Sequence, residues 1–405
     1  MHRPLLGLAL AAWFLWTSAD AQEIREHTLS APGTGPEYGF TQVTGIRELH
    51  DGRVIVVDAG VSTVYLIDAA GTSVEQLGRA GAGPGEYGHP EKVFALPGDS
   101  SAILDRLRGR LMLLGPNAEF VRFLYSGGCA ECRLSSAGIA LREAEATDGS
   151  GYFYALAESI VRTPAGELVI TDSAAIERWR GASLTRDTVG FLDAKMHPAM
   201  RVFRGSITAP RPPRVGPVPA FYTIRQWTVS TDGRVAMVYP EPYHVDYVDS
   251  SGHVWRGPDI PYDRVEVSDD LKRQWLAERA TAGDAYVGGE DGELHRVRRP
   301  RSSAADVSWY WPTHLPPFVY QPPQPLEPAR FAPDGRLWIE RAVGAHDLPL
   351  VDVVDAGGRL VRRIRLPAGR RVAGFGPTSV YLVRKDDMDL QYLERYRFPV
   401  NADRE

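Results

Sequence analysis

The chain has 405 residues, a formal net charge of −5 and a hydrophobic content of 43%. These values are typical of a globular protein, and they give no reason to expect a nucleic acid as a partner. The 40 glycines and 31 prolines indicate many turns, because both residues interrupt helices and strands.

The N-terminus has the three parts of a secretory signal peptide. MHR is basic, residues 5–16 are apolar but too short to span a bilayer comfortably, and ADA at residues 19–21 is an A-x-A cleavage site. We therefore predict a signal peptide over residues 1–21, cleavage before Gln22, and export to the periplasm or the medium. No other segment approaches about 18 uninterrupted apolar residues, so the mature protein is expected not to span a membrane.

Residues 81–90 read GAGPGEYGHP and satisfy the pattern G-x-G-x-x-G of dinucleotide-binding loops. Such a loop must open a helix, but here prolines follow and no apolar residues recur at helical spacing. A near copy, GTGPEYGF, occupies residues 33–40, which indicates a repeated unit rather than a cofactor site. We predict that Gly83 and Gly85 shape the exit of one unit, and that Glu86 and Tyr87 tie it to the next.

One phrase recurs along the chain: a tight turn, then Arg or Glu, then a run of apolar residues. Its copies are DGRVIVVD at Asp51-Gly52, AGELVITD at residues 165–172, DGRVAMVY at Asp232-Gly233 and DGRLWIER at Asp334-Gly335. An Asp-Gly turn followed by a β-branched run predicts a hairpin that feeds a strand. A second turn, of the type YLIDAAG or DYVDSSG, follows several copies. Each unit thus offers about four short antiparallel strands, the size of a propeller blade.

Counting the units predicts an all-β fold, a six-bladed β-propeller of four-stranded antiparallel blades, in one domain over residues 22–405. Five or seven blades also fit the uneven spacing. The predicted blades begin near Val43, Val93, Ser159, Trp227, Ala329 and Arg371. The last unit is one strand short. Residues 23–30 are expected to supply an N-terminal strand that closes the ring and hides the edges of an open sheet.

The only two cysteines are Cys129 and Cys132, in the stretch SGGCAECRL. Covalent haem attachment needs a His where Arg133 stands, a zinc site needs further ligands at metal-site spacing, and a thioredoxin-like motif needs a helix start. We therefore predict a structural disulfide that clips a loop, which an oxidising compartment permits.

An insertion is predicted over about residues 268–328. It begins with an N-cap Ser268 and two acids, and it places Leu271 and Trp275 on one face, which predicts a helix. The remainder is rich in proline, arginine and aromatic residues and is expected to pack on one face of the ring. Two arginine clusters are expected at solvated edges, with a polyanion-binding patch as the alternative. They comprise Arg296, Arg298, Arg299 and Arg301, and Arg362, Arg363, Arg365, Arg370 and Arg371.

The pairing of GAGPGEYGHP with DGRVIVVD, the repeated VDSSG-like turns and the closing VYLVRKDDMDLQYLERYRF resemble the secreted six-bladed propellers related to NHL-repeat and TolB-like proteins. The similarity covers most of residues 24–399. The resemblance implies a binding face at the mouth of the channel. It does not indicate an activity, because propellers host binding modules and enzymes alike.

We expect an exported, monomeric propeller that binds a protein, peptide or glycan through the loops at its channel mouth. Aromatic and arginine side chains in the insertions offer stacking and bidentate hydrogen bonds, with core packing as their alternative role. The candidate ligand-binding residues are Tyr222, Arg225, Trp227, Trp309 and Trp311. No metal or other cofactor is predicted.

The alternative function is a metal-dependent lyase or hydrolase of the NHL-like propeller kind. The resemblance implies a zinc ion held by several histidines for such lyases. The histidines of this chain are scattered and form no compact metal motif, although different blades can bring them together. Propeller lactonases use two Asn ligands, but the only Asn residues here are Asn117, at a predicted turn, and Asn401, at the C-terminus, so a lactonase is not favoured. Asp386, Asp387 and Asp389 lack the Gly and distal Glu of a calcium loop.

Overall fold

The chain is a six-bladed β-propeller, as the sequence predicts, with antiparallel blades arranged in a ring. The computed structural model describes residues 24–29, 35–125, 144–157, 160–162, 168–170, 173–181, 183, 185–193, 218–221, 223, 226–281, 284–288, 294–298, 308–319 and 327–398. The predicted signal peptide and the predicted disulfide of Cys129 and Cys132 lie outside these residues.

Strand β1 (Arg25–Thr28) is the first element of the described residues. Blade one contains β2 (Val43–Glu48), β3 (Val54–Asp58), β4 (Thr63–Ile67) and β5 (Val74–Gln76). A parallel pair follows, made of β6 (Arg79–Ala80) and β7 (Glu86–Tyr87). Blade two contains β8 (Pro90–Ala95), β9 (Ser101–Asp105), β10 (Arg110–Leu114) and β11 (Phe120–Tyr125). Blade three contains β12 (Ala146–Thr147) and β13 (Tyr152–Leu156), then an inserted hairpin of β14 (Ile160–Arg162) and β15 (Leu168–Ile170), then β16 (Ser173–Arg180) and β17 (Asp187–Asp193).

The second half of the ring carries the longest insertion. Strand β18 (Val218–Pro219) precedes blade four, which contains β19 (Gln226–Val229), β20 (Val235–Pro240), β21 (Tyr243–Val248) and β22 (Val254–Arg256). The insertion contains α1 (Asp269–Thr281), a hairpin of β23 (Asp284–Gly288) and β24 (Leu294–Arg298), and β25 (Trp309–Tyr310), which pairs with β18. Blade five contains β26 (Ala329–Phe331), β27 (Leu337–Glu340), β28 (Leu350–Val354) and β29 (Leu360–Arg365). Blade six contains β30 (Arg370–Phe375), β31 (Ser379–Lys385) and β32 (Gln391–Arg397).

The core of the propeller lies in the gaps between adjacent blades. Along β3, Val54 and Val56 pack toward blade six, while Ile55 and Val57 pack toward blade two. Both faces of the sheet are therefore buried. This explains why the strand is a continuous apolar run rather than an alternation of apolar and polar residues.

The N-terminal strand closes the ring, but by a different route from the one expected. Strand β1 pairs in parallel with β29, as a fifth strand on the outer edge of blade five. The chain then passes blade six, where the backbone of Phe40 exchanges two hydrogen bonds with that of Gln391, at 2.8 and 2.7 Å. Blade six itself has three strands among the described residues. The N-terminal segment thus joins blades five, six and one.

The predicted start of blade three near Ser159 is wrong. The blade begins at Ala146, and Ser159 falls outside the described residues, between β13 and β14. The phrase AGELVITD contributes β15, which belongs to the inserted hairpin and not to the sheet of the blade. The phrase identifies a hairpin, and an inserted hairpin satisfies it as well as a blade does.

The Asp-Gly pairs form the turns between the first two strands of blades one, four and five. In blade one, Asp51 accepts a hydrogen bond from the backbone N–H of Arg53 at 3.0 Å. Gly52 has φ of 87°, a left-handed conformation that favours glycine. The same arrangement recurs in the other two blades, at Asp232-Gly233 and at Asp334-Gly335.

The glycine-rich stretch connects blades one and two. Glu86 closes its own loop by accepting a hydrogen bond from the N–H of Gly83 at 2.7 Å, and Gly85 has φ of 73°. Tyr87 is fully buried between the two blades, and its hydroxyl accepts a hydrogen bond from the N–H of Val64 in blade one. The stretch is a link between blades.

Asp58 and Asp105 occupy equivalent positions in blades one and two, and each holds the backbone segment that leads into its blade. Each ends the second strand of its blade and is buried. Asp105 accepts hydrogen bonds from the N–H groups of Gly88 and His89, at 3.0 and 2.9 Å, and from Nε of Arg110 at 3.2 Å. The carboxylate fixes the chain just before it enters the innermost strand.

Replacement of Asp105 is expected to destabilise the whole ring. Asp105→Ala leaves the buried guanidinium of Arg110 without its carboxylate, which costs about 3 to 5 kcal/mol of unfolding free energy. Urea denaturation measures this loss. The control is Asp249→Ala, in an exposed turn, for which we expect less than about 1 kcal/mol. Equal losses for the two variants would contradict the role assigned to Asp105.

Candidate functional site: the inserted face of the ring

The innermost strand of each blade starts at one face of the ring and ends at the opposite face. The face where these strands start also carries the long connections, which comprise residues 126–145, 157–172, 194–225 and 257–328. We call it the inserted face. Short turns, such as residues 49–53, 230–234 and 332–336, lie at the opposite face. Long connections on a rigid scaffold are the usual place for a binding site.

An aromatic cluster fixes the insertion on this face. Trp275 of α1 lies 4.7 Å from Trp309 and 5.2 Å from Trp311, measured between ring centroids. Phe221 contacts the cluster from the other side, and Ala342 contacts it from blade five. Ser268 caps α1 by accepting a hydrogen bond from the N–H of Leu271 at 3.2 Å. The predicted helix thus buries its Trp-bearing face against the insertion.

The structure brings only some of the predicted ligand-binding residues together. Trp309 and Trp311 are half-buried in the aromatic cluster. Trp227 is half-buried at a different place, in the gap between blades three and four. Tyr222 and Arg225 lie outside the described residues. A binding role for these five residues stays a prediction.

Tyr310 presents its side chain to solvent between the two half-buried tryptophans. It is 62% exposed and belongs to β25, whose backbone pairs in parallel with β18. The sequence signal for Tyr310 was the WYW triplet itself, in which alternation along a strand directs the middle side chain away from its two neighbours.

A buried carboxylate, Asp352, anchors the insertion to blades four and five. It accepts hydrogen bonds from Arg341 at 2.9 Å, from Arg363 at 3.2 Å and from the hydroxyl of Tyr243 at 3.1 Å. The same two guanidinium groups donate to the long connection of residues 257–328, which contains the insertion: Arg341 to the carbonyl of Pro317 at 2.8 Å and Arg363 to that of Pro261 at 2.9 Å. Burial raises the pKa of Tyr243 well above its usual value, so this hydroxyl stays a donor.

The second arginine cluster is largely neutralised within the ring. Arg363 pairs with Asp352, Arg365 with Glu26, Arg370 with Glu394 and Arg371 with Glu340. Arg362 is buried. These pairs account for the arginines as structural residues of blades five and six.

A chain of alternating charges lies where the innermost strands begin; we call it the channel charge chain. It consists of Lys92, Glu327, Arg330, Glu340 and Arg371. Lys92 of blade two bonds Glu327, at the entrance of blade five, with Nζ to Oε1 at 2.8 Å. These blades are three positions apart in a ring of six, so the pair spans the channel. Burial disfavours the charge on Lys92, but the carboxylates of Glu327, Glu145 and Glu91 together outweigh burial and raise the lysine pKa.

The other end of the channel charge chain joins blades five and six. Arg330 Nη1 donates to the carbonyl of Val372 at 2.6 Å and lies 3.8 Å from Glu340. Arg371 Nε donates to Glu340 at 3.2 Å. Burial lowers the pKa of Arg330, against the attraction of Glu340 and Glu327. No local sequence pattern predicts this arrangement, because its members come from distant parts of the chain.

In the parts of the chain that the structure describes, no three or more His, Cys, Asp or Glu side chains are grouped so as to hold a metal ion. Nor is any helix of the described residues long and apolar enough to cross a membrane.

Comparison with known proteins finds similarity only among solved structures. No protein-family model and no curated protein matches the chain. A protein described as exported, from Bacteroides fragilis NCTC 9343, has 11% identity and a TM-score of 0.43, over 92% of this chain and 99% of that one. A member of the DUF4221 family from Bacteroides vulgatus has 7% identity and a TM-score of 0.45, over 91% and 97%. An inactive variant of virginiamycin B lyase from Staphylococcus aureus has 11% identity and a TM-score of 0.35, over 90% and 98%.

Arg341→Met is expected to loosen the insertion while leaving the ring folded. The substitution removes the hydrogen bond to Pro317 and one of the two cations that neutralise Asp352. We expect proteolysis within residues 257–281 to become at least about 10-fold faster, since the local opening free energy falls. Arg359→Met, in a turn of the same blade at the opposite face, is the matched control. Unchanged proteolysis of Arg341→Met would contradict the anchor.

His89 is expected to make the stability depend on pH. It accepts or donates a hydrogen bond with Ser62 at 2.8 Å and lies near Glu91, Arg106 and Asp105. Burial lowers its pKa below the usual 6.5, so protonation favours the unfolded chain. Its contribution is intact above about pH 6.5 and is lost as the pH falls through the lower folded-state pKa.

Urea denaturation of the wild type and His89→Gln between pH 7.5 and 5 measures this contribution. The wild type is expected to lose more stability than the variant over this range. Parallel losses in the two proteins would show that other groups control the acid response.

Proposed function

We propose that the protein is an exported binding protein that holds a protein, peptide or glycan on its inserted face. One observation carries the proposal: the long connections leave from a single face, and the described insertion is fixed there by the Asp352 anchor. The opposite face carries short hydrogen-bonded turns. Export rests on the signal-peptide pattern of residues 1–21.

The chemistry of the inserted face supports recognition of a partly polar ligand. Tyr310 offers an exposed ring, and Trp275 packs against the two tryptophans that flank it. The backbone of Tyr310 is fixed by pairing with β18, and a tyrosine side chain has few rotatable bonds, so it loses little conformational entropy on binding, which favours affinity. The channel charge chain supplies charged groups at the centre of the same face, and peptides and glycans combine such polar groups with surfaces that stack on aromatic rings.

A metal-dependent lyase or hydrolase remains the second hypothesis, and no particular contact of the described residues favours it. Metal analysis of the purified protein tests it directly. Stoichiometric zinc or calcium, with a loss of thermal stability on chelation, would support the enzyme hypothesis.

Replacement of Tyr310 is expected to weaken ligand binding without unfolding the protein. Peptide and glycan arrays first select a ligand. Tyr310→Ser should then lower its affinity at least about 10-fold, because a central aromatic contact is worth about 2 kcal/mol or more. The measurement is calorimetric titration of the full chain.

Phe191→Ser is the matched control. Phe191 is also 62% exposed, but it lies on the last strand of blade three. We expect its replacement to leave the affinity unchanged. Equal effects of the two substitutions, or no effect of Tyr310→Ser, would contradict a binding site on this part of the inserted face.

A further inference from the structure

Arg330, on the innermost strand of blade five, has two hydrogen-bond donors with no acceptor among the described residues. Its Nη1 atom donates to the carbonyl of Val372 and is the atom nearest to Glu340. Among the described residues, no acceptor is bonded to Nε or Nη2. The side chain is 19% exposed, so solvent still reaches it. The Nε and Nη2 atoms form the edge of a guanidinium that binds a carboxylate through two parallel hydrogen bonds.

The two carboxylates that attract the charge of Arg330 are bonded to other donors. Glu327 stands three residues before Arg330 and attracts its charge, yet Glu327 is bonded to Lys92 on the opposite side of the channel, at 2.8 Å. Glu340 also has other donors, because Arg371 donates to one of its oxygens and the N–H of Val372 to the other. Both nearby carboxylates therefore have other donors.

The electrostatics of Arg330 favour an additional anion. Burial lowers the pKa of the guanidinium, and the positive charge of Arg371 acts in the same direction. The attraction of Glu340 and Glu327 opposes these effects without cancelling them. A bound carboxylate would add a counter-charge beside Glu340, which Arg330 shares with Arg371, in a setting where the interaction is stronger than in bulk water.

We propose that the Nε and Nη2 edge of Arg330 binds a carboxylate group of the ligand inside the channel mouth, and that Lys92 sets its affinity by holding Glu327 away. This inference rests on the proposed function, because the ligand enters from the inserted face. It specifies the ligand as a carboxylate-bearing molecule, such as an acidic peptide or an acidic sugar.

Succinate and acetate are suitable probes, with sodium chloride and inorganic phosphate as controls at the same ionic strength. Thermal denaturation of the full chain across a concentration series measures binding. We expect a saturable rise in melting temperature with the two carboxylates. A rise of the same size with chloride would show a salt effect only, and an equal saturable rise with phosphate would overturn the carboxylate assignment.

Three substitutions separate recognition from structural support. Arg330→Gln should weaken succinate binding at least about 10-fold, since it removes a charge-assisted bidentate contact. Arg330→Lys keeps the charge but not the two parallel donors, so it should also lose affinity while remaining folded. Glu327→Gln should strengthen binding several-fold, because it removes a competing negative charge. A structural role alone predicts no gain in affinity.

Lys92→Met should change succinate affinity in the opposite direction to Glu327→Gln. It releases Glu327 to bond Arg330, so succinate binding should weaken although Lys92 itself does not contact the probe. Arg359→Gln, at the opposite face of blade five, is the control and should bind succinate like the wild type. Undiminished binding by Arg330→Gln would overturn the proposal.

The outcomes distinguish this inference from the proposed function. If the array ligand depends on Tyr310 but succinate does not bind, the inserted face remains the binding face and the role of Arg330 is wrong. If succinate binds through Arg330 but no array ligand depends on Tyr310, the carboxylate site stands and the aromatic binding surface is wrong.

Discussion

The structure depends on the burial of both faces of each blade. Strand β3 is an example, because its alternate residues pack against blade six on one side and against blade two on the other. A blade removed from the ring would expose an apolar surface on each side, so the blades stabilise one another only when the circle is complete. The N-terminal segment matters for this reason, since it joins blades five, six and one.

Ring closure leaves the two faces with different roles. At one face, tight turns with left-handed glycines connect successive strands with little exposed chain. At the other face, buried carboxylates hold the irregular segments: Asp105 holds the entrance of blade two, and Asp352 holds the insertion through Arg341 and Arg363. Because these polar groups satisfy one another, the inserted face combines irregular loops with a fixed framework.

Local patterns in the sequence were enough to predict the fold, and long-range placement was not. Asp-Gly turns followed by apolar runs predict hairpins, and counting these hairpins predicted six blades. AGELVITD also matches this pattern, but it lies in a hairpin outside the sheet of the blade, so the predicted start of blade three was wrong. The N-terminal strand was expected, yet its partner β29 depends on tertiary geometry. The aromatic insertion was predicted from its composition. The pair of Lys92 and Glu327 was not predicted, because it joins residues that are far apart in the sequence.

We propose that the ligand binds on the inserted face, above the channel. Hydrogen–deuterium exchange of the full chain, with and without the peptide or glycan selected from the arrays, tests it most directly. We expect slower exchange in residues 308–319 and 327–331, and unchanged exchange in the turns at residues 49–53 and 332–336. Protection confined to those turns, with none in residues 308–319 or 327–331, would show that the ligand binds at the opposite face.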